Sequence, residues 1–153
     1  DSKQLTHNQR LALVDVIHEH ALWHDTVIIT PQEIDQSNIY AVTQAAMTKL
    51  AIKAKADMVL TDAMPLKDYY GPYESIIKGD QKSLSIAAAS ILAKTQRDAI
   101  MVELDQIYPE YGFAGNKGYG TPQHKEAIFK YGRTAEHRHT FRFKDEVQLS
   151  LDI

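Results

Sequence analysis

The residues with the most chemistry to offer in this chain are two aspartates, Asp62 and Asp98. Asp62 closes the apolar run Met58-Val59-Leu60-Thr61. In open α/β sheets, ligands sit beyond the carboxyl ends of the strands, so an acid there is a site candidate. Asp98 follows Lys94, Thr95, Gln96 and Arg97, where a long apolar helical pattern turns polar. A helix that starts in the core and ends this way can carry a carboxylate to the rim of a cleft. Together the two acids offer hard oxygen ligands suited to Mg²⁺ or Mn²⁺. Each has a plainer reading. Asp62 can cap the loop after its strand. Lys94 and Asp98 can form an i,i+4 surface pair, in the less favourable order with lysine first. Two acids are also few for a metal centre that must hold a phosphate.

Other stretches offer contacts rather than chemistry. Lys117-Gly118-Tyr119-Gly120-Thr121-Pro122 joins a lysine, a tyrosine between glycines and a helix start. Glycines let backbone approach a ligand, and a helix N-terminus favours phosphate. Tyr119 can stack on a sugar or base, or hydrogen-bond a 2′-OH. On spacing alone, an ordinary cap with a half-buried tyrosine fits better. Lys78-Gly79-Asp80-Gln81-Lys82 is a turn with two lysines, either a phosphate contact or a solvated turn. His137-Arg138-His139 makes a poor zinc site, because no cysteine or correctly spaced pair accompanies it. No Walker-type loop and no nucleophile elbow is present.

The elements that must position these residues follow from periodicity and caps. Thr6 to Gln9 reads as a capping box, opening a helix that buries Leu11, Val14, Ile17 and Ala21. His24 to Thr30 holds the β-branched run Val27-Ile28-Ile29 and predicts a strand. Thr30-Pro31 starts a short helix. A longer one spans about Asn38 to Lys55, with Ile39, Val42, Ala46, Leu50 and Ala54 as its buried stripe. Met58 to Thr61 and Ser75 to Lys78 predict short strands, with Pro65, Gly71 and Pro72 marking the loop between them. Ser83 to Ile107 is the longest helical pattern, ended by Tyr108-Pro109. Gly112 to Gly120 reads as a glycine-rich loop, Thr121-Pro122 starts another helix and Gly132 stops it. The remainder, to Ile153, reads as partly loose.

Composition sets bounds. The chain has 153 residues, 44% hydrophobic and 24% charged, which suits one ordinary globular domain with a real core. No run is long enough to span a membrane. With no cysteine, disulfide and thiolate chemistry are excluded, and a reducing cytoplasm is compatible. A net charge of −3 does not point to nucleic acid. The stretch from Lys117 to Lys144 can meet phosphates whatever the global balance, or be a solvated basic face: Lys117, Lys125, Lys130, Arg133, Arg138, Arg142 and Lys144 face only Glu126 and Glu136.

Taken in order, these stretches resemble type 2 ribonuclease H, ribonuclease HII, over nearly the whole chain. Asp1-Ser2-Lys3-Gln4-Leu5 is similar to the family's DSK-x-L segment, and Glu33-Ile34-Asp35 with Asn38-Ile39 to its EID-x-x-NI segment. Asp62-Ala63-Met64, Lys78-Gly79-Asp80, Ala88 to Lys94 with Arg97-Asp98, and Tyr111-Gly112-Phe113 follow. Lys117 to Thr121 with His124 completes the series. The resemblance implies an α/β fold: a ribonuclease H-like mixed sheet flanked by helices, with a C-terminal helical part. Residues 1–153 are then a single domain, N-terminally incomplete, with the first strands absent. It implies endonucleolytic hydrolysis of RNA in RNA–DNA hybrids and incision at ribonucleotides embedded in DNA, in the cytoplasm and without a membrane. It also implies two-metal catalysis with Mn²⁺ or Mg²⁺. Four carboxylates serve the family. Asp62 and Asp98 look like the third and fourth, as catalytic and metal-binding residues, and the first pair belongs to a DE-x-GRG-P motif not found in this sequence. Tyr119 is expected at the ribonucleotide–deoxyribonucleotide junction, and Lys3, Lys78 and Lys82 at phosphates. The chain as given is expected to be inactive alone and to cover the apolar face of Ile86 to Ala93 in a dimer or swapped assembly. The alternative is a non-catalytic nucleic-acid-binding fragment.

Overall fold

The computed structural model describes residues 2–144. A short 3-10 turn, Ser2–Gln4, leads to helix α1, His7–His20. The expected capping box is there: the Thr6 side chain accepts from the Gln9 N–H while the Gln9 side chain accepts from the Thr6 N–H. α2, Pro31–Gln36, opens on a second capping box, made by Thr30 and Glu33. α3 spans Ile39–Ala54, capped by Asn38. Two short strands follow, β1, Val59–Asp62, and β2, Tyr73–Ile76, paired in parallel with Val59 opposite Tyr73 and Asp62 opposite Ile76. A single turn of helix, α4, Gly79–Lys82, feeds the long helix α5, Leu84–Ile107. Ser83 caps α5 and Pro109 ends it. α6, Phe113–Asn116, and α7, Pro122–Tyr131, complete the series.

α5 is the spine. α1, α4, α6 and β1 all pack against it. The core sits along its second half, where Tyr111, Phe113, Ala127 and Ile128 are buried together with Met101, Leu104, Tyr108 and Phe143 around them. The reason is local: Pro109 breaks α5, and Gly112, at φ 63°, turns the chain back so that α6 and α7 fold onto the helix just left.

Several expectations need correcting. Residues 24–30 form no strand among the described residues. Strand propensity needs a partner ladder, and here side chains tie the segment down instead. Asp25 pairs with Lys53, and the Thr26 hydroxyl donates to Gln96. α1 buries no residue, and Leu11 is 44% exposed, because the helix meets the molecule mainly through α5. The stripe of α3 differs in part from the expected one: Val42, Ala46, Leu50 and Ala54 are partly buried, Ile39 is exposed, and Thr48 and Ala51 are the buried residues. Thr48 is accommodated because its hydroxyl donates to the Lys67 carbonyl at 2.9 Å. The glycine-rich loop contains α6. Ile86 and Ile91 are buried rather than part of an exposed face. The sheet has two strands among the described residues, and they are parallel. The expectation of a partly loose remainder covers residues 133–153; His139 and Thr140 within it are held by Asp35, and 145–153 lie outside the described residues.

Candidate functional site

Asp62 ends β1, exposed, as its strand-end position demands. Its Oδ1 accepts the Gly79 backbone N–H at 2.8 Å. That bond holds the start of α4, and therefore Asp80, beside the strand end. The approach is close: a Cβ on Gly79 would lie 3.3 Å from Asp62 Cα and 2.6 Å from Ile86 Cδ1. Only glycine fits there without displacement. Strain surrounds the pair. Ala63 and Lys78 are non-glycine residues held at φ 54° and φ 55°, one directly after Asp62 and one directly before Gly79. Such conformations cost free energy and cluster at functional sites. Asp80 lies in the first turn of α4, partly buried, and makes no hydrogen bond or ion pair among the described residues. Sequence reasoning passed over this acid. In the sequence, Lys78-Gly79-Asp80 stands out for its lysines and as a turn similar to the family's, not for its acid.

Asp98 is elsewhere and does something else. It is 3% exposed. Oδ1 accepts from Lys94 Nζ at 2.5 Å, and Oδ2 faces Arg10 Nη2 at 3.5 Å. The pair with Lys94 is therefore not a surface pair. Ile86, which touches the Gly79–Asp62 contact, is in the first turn of α5. Asp98 lies about 18 Å further along at 1.5 Å per residue. The bond from the Gly79 N–H sets Asp62 beside the first turn of α4, which carries Asp80. Arg10 extends the network: its Nη1 donates to the Ser2 carbonyl at 3.2 Å and the Leu5 carbonyl at 2.6 Å. With the 2.9 Å bond between the Ser2 and Ser90 hydroxyls, Asp98 and Arg10 pin the Ser2–Leu5 segment onto α5.

Tyr119 is 58% exposed, with the Arg97 guanidinium 5.1 Å from its ring centroid. Its backbone is fully engaged. The N–H donates to the Asn116 carbonyl at 2.9 Å, and the carbonyl accepts from the Thr121 N–H and from His124 Nδ1, both at 2.8 Å. An exposed aromatic ring thus stands on a fixed main chain. Lys78 and Lys82 are exposed at the two ends of α4, on either side of Asp80. The Lys3 side chain lies outside the described residues.

A family model described as Ribonuclease HII matches residues 1–145. This chain belongs to the ribonuclease HII family. Ribonuclease HII of Acetivibrio thermocellus is 49% identical over 144 residues, covering 92% of this chain and 56% of the relative. That of Clostridioides difficile is 48% identical over 143 residues, again covering 92% and 56%. That of Francisella philomiragia is 45% identical and covers 93% of this chain and 78% of its own. The chain thus spans a little over half the length of the first two relatives. In fold it is similar to the crystal structure of ribonuclease H2 from Pyrococcus horikoshii, with a TM-score of 0.79 at 24% identity, covering 99% of this chain and 81% of that one. It is also similar to ribonuclease HII of Archaeoglobus fulgidus, solved in a complex with PCNA, with a TM-score of 0.76 at 18% identity. The architecture described above is therefore the α/β fold of ribonuclease HII.

Within that family fold, the donor chemistry at the end of β1 suits a hard divalent cation. Asp62 keeps Oδ2 free of protein hydrogen bonds, and the Asp80 carboxylate is unpaired among the described residues. The set is small. Among the described residues no group of three or more His, Asp or Glu converges on one point. A hard divalent cation held by so few protein oxygens completes its shell with water. The family's EID-like segment has a different task. Asp35 accepts the backbone N–H groups of His139, at 2.6 Å, and Thr140, at 3.0 Å, and the Thr140 hydroxyl. The Thr140 bonds hold its carboxyl below the usual range. Asp35 thereby docks the basic segment that follows α7. In that segment Arg138 stacks on Phe141 at 4.5 Å. No helix among the described residues is long and apolar enough to cross a membrane.

Proposed function

We propose that this chain contributes the β1–α4 acid pair and the Tyr119 loop of a metal-dependent endonuclease acting on RNA–DNA hybrids and on ribonucleotides embedded in duplex DNA. One observation carries the reading: Asp62 accepts the Gly79 N–H, which brings the turn carrying Asp80 to the end of β1. Asp62 and Asp80, in place of Asp62 and Asp98, would hold Mn²⁺ or Mg²⁺. When bound, such ions supply an activated water and stabilise the leaving 3′ oxygen. The chain's own residues orient the substrate. Tyr119 presents a π-face and a hydroxyl to the ribose. Lys78 and Lys82 meet the flanking phosphates, with Lys3 as a third contact. Residues 1–153 act as one unit, and the cysteine-free sequence suits a reducing, cytoplasmic setting.

The small donor set favours a second reading, a nucleic-acid-binding fragment without catalysis. Incubating the protein with a labelled RNA–DNA hybrid, with and without Mn²⁺, separates the two. Metal-dependent cleavage supports the enzyme. Salt-sensitive binding without cleavage supports the fragment.

A further inference from the structure

Beneath the Tyr119 loop lies a histidine pair that none of the chemistry above employs. His124 and His137 are both buried, with Nε2 to Nε2 at 3.1 Å. Tyr111 and Phe113 enclose them: both rings meet His124 edge to face, and both lie tilted against His137. With two nitrogens and no third ligand among the described residues, the pair is not a metal centre.

Its hydrogen bonds run in one direction only. A carbonyl oxygen can only accept, so the Nδ1 of His124 carries the proton that meets the Tyr119 carbonyl at 2.8 Å. A backbone N–H can only donate, so the Nδ1 of His137 is the lone pair that accepts from the Thr134 N–H at 3.0 Å. A neutral His137 then carries its proton on Nε2 and donates it to Nε2 of His124. The chain of donation starts at a backbone N–H after α7 and ends at the Tyr119 carbonyl. Its ends are main chain, so its polarity cannot reverse.

We propose that the His124–His137 pair positions Tyr119, by fixing the carbonyl from which the exposed ring is cantilevered. The inference rests on Tyr119 as the ribose-facing residue. The pair is the buried foundation of that residue: the ring stays free for substrate, while the loop beneath it has one arrangement. Charging the pair breaks it, because a doubly protonated His137 cannot accept from Thr134. The groups around it do not favour such a charge. Arg133 and His139 approach from the segment after α7, and Tyr111, with Glu110 and Tyr131 near it, from the core side. Burial, His124 and Arg133 hold His137 down to about 4.

The test uses the full chain. Nitrogen–proton correlation spectra of the histidine rings should show His124 protonated on Nδ1 and His137 on Nε2. His124→Leu should shift the Tyr119 amide and ring resonances, while His124→Asn, whose amide can still donate to the carbonyl, should restore them. Binding of a short DNA duplex with one ribonucleotide, compared with the all-DNA duplex in Ca²⁺, reads the consequence. His124→Leu should reduce the ribonucleotide preference on the order of tenfold, the worth of one hydrogen bond. It should have no further effect in the Tyr119→Ala background. His137→Gln, judged on the same resonances, serves if His124→Leu fails to fold. Unmoved Tyr119 resonances, or the opposite tautomers, overturn the proposal. If Tyr119→Ala itself leaves the preference intact, the ribose assignment falls. The Tyr119 resonances then decide the positioning role by themselves, a shift supporting it and no shift overturning it.

Discussion

Replacing Asp98 with alanine should cost stability, not metal affinity. The carboxylate is buried against two cations, Lys94 and Arg10, whose side chains are 22% and 12% exposed. Removing one member of a buried ion pair costs about 3–5 kcal/mol, because the remaining charge is stranded. Lys94 is flexible enough to reach solvent. Arg10 is not, although it keeps its bonds to the Ser2 and Leu5 carbonyls. The lower end, about 3 kcal/mol, is therefore expected. With a urea slope near 2 kcal/mol per molar, the midpoint should fall by about 1.5 M. Asp62→Ala should change stability by no more than about 0.5 kcal/mol, about 0.25 M in midpoint at that slope, since Asp62 is exposed and gives up a single bond. The assay is urea denaturation of both variants with and without Mn²⁺. Metal should raise the midpoint of Asp98→Ala as much as it raises that of the unaltered protein. An Asp98→Ala protein of unaltered stability that no longer responds to Mn²⁺ would refute the reasoning and make Asp98 a ligand.

Gly79→Ala should destabilise the protein by about 1–3 kcal/mol and disturb Asp62 as well. The added carbon would press on Asp62 Cα and the Thr61 carbonyl oxygen at 3.3 Å, backbone that cannot turn aside as Ile86 Cδ1 can, and urea midpoints together with metal titration would show both effects. Stability should fall with acid. His137 is held neutral at about 4, below its ordinary 6.5, so the unfolded chain binds the extra proton between those values. Its contribution is complete above pH 6.5 and is lost as pH falls towards 4, at most about 3 kcal/mol in all. In His137→Phe the pH slope of stability in that window should be shallower; an identical slope would contradict the assignment. Asp35→Ala should free the basic segment, seen as faster hydrogen exchange at the His139 and Thr140 amides with little change in α7.

Much of the fold was legible because its signals are local. The Thr6 and Thr30 capping boxes, the Ser83 cap, the apolar run of α5 and the stop at Pro109 each act within a few residues of chain. What failed depends on distant partners. Val27-Ile28-Ile29 has the propensity of a strand but finds no ladder among the described residues. The buried face of α3 is set by a hydroxyl reaching the Lys67 carbonyl, which periodicity cannot see. The site divides the same way. The strand-end position of Asp62 and the exposure of Tyr119 follow from residue type and position. The burial and second pairing of Asp98 could not be read from the sequence, because Arg10 lies far away in the chain. Asp80 was missed because only the bond from the Gly79 N–H to Asp62 places it at the strand end.

The central claim is that Asp62 and Asp80 form the working acid pair, so the most direct measurement is Mn²⁺-dependent cleavage of a labelled RNA–DNA hybrid. It should compare the unaltered protein with Asp62→Asn, Asp80→Asn and Asp98→Asn, each purified free of host nuclease. The account predicts that Asp62→Asn and Asp80→Asn each abolish cleavage while remaining folded, whereas Asp98→Asn keeps activity at temperatures below its lowered unfolding midpoint. Full activity in Asp80→Asn, or a folded Asp98→Asn protein with none, would contradict it.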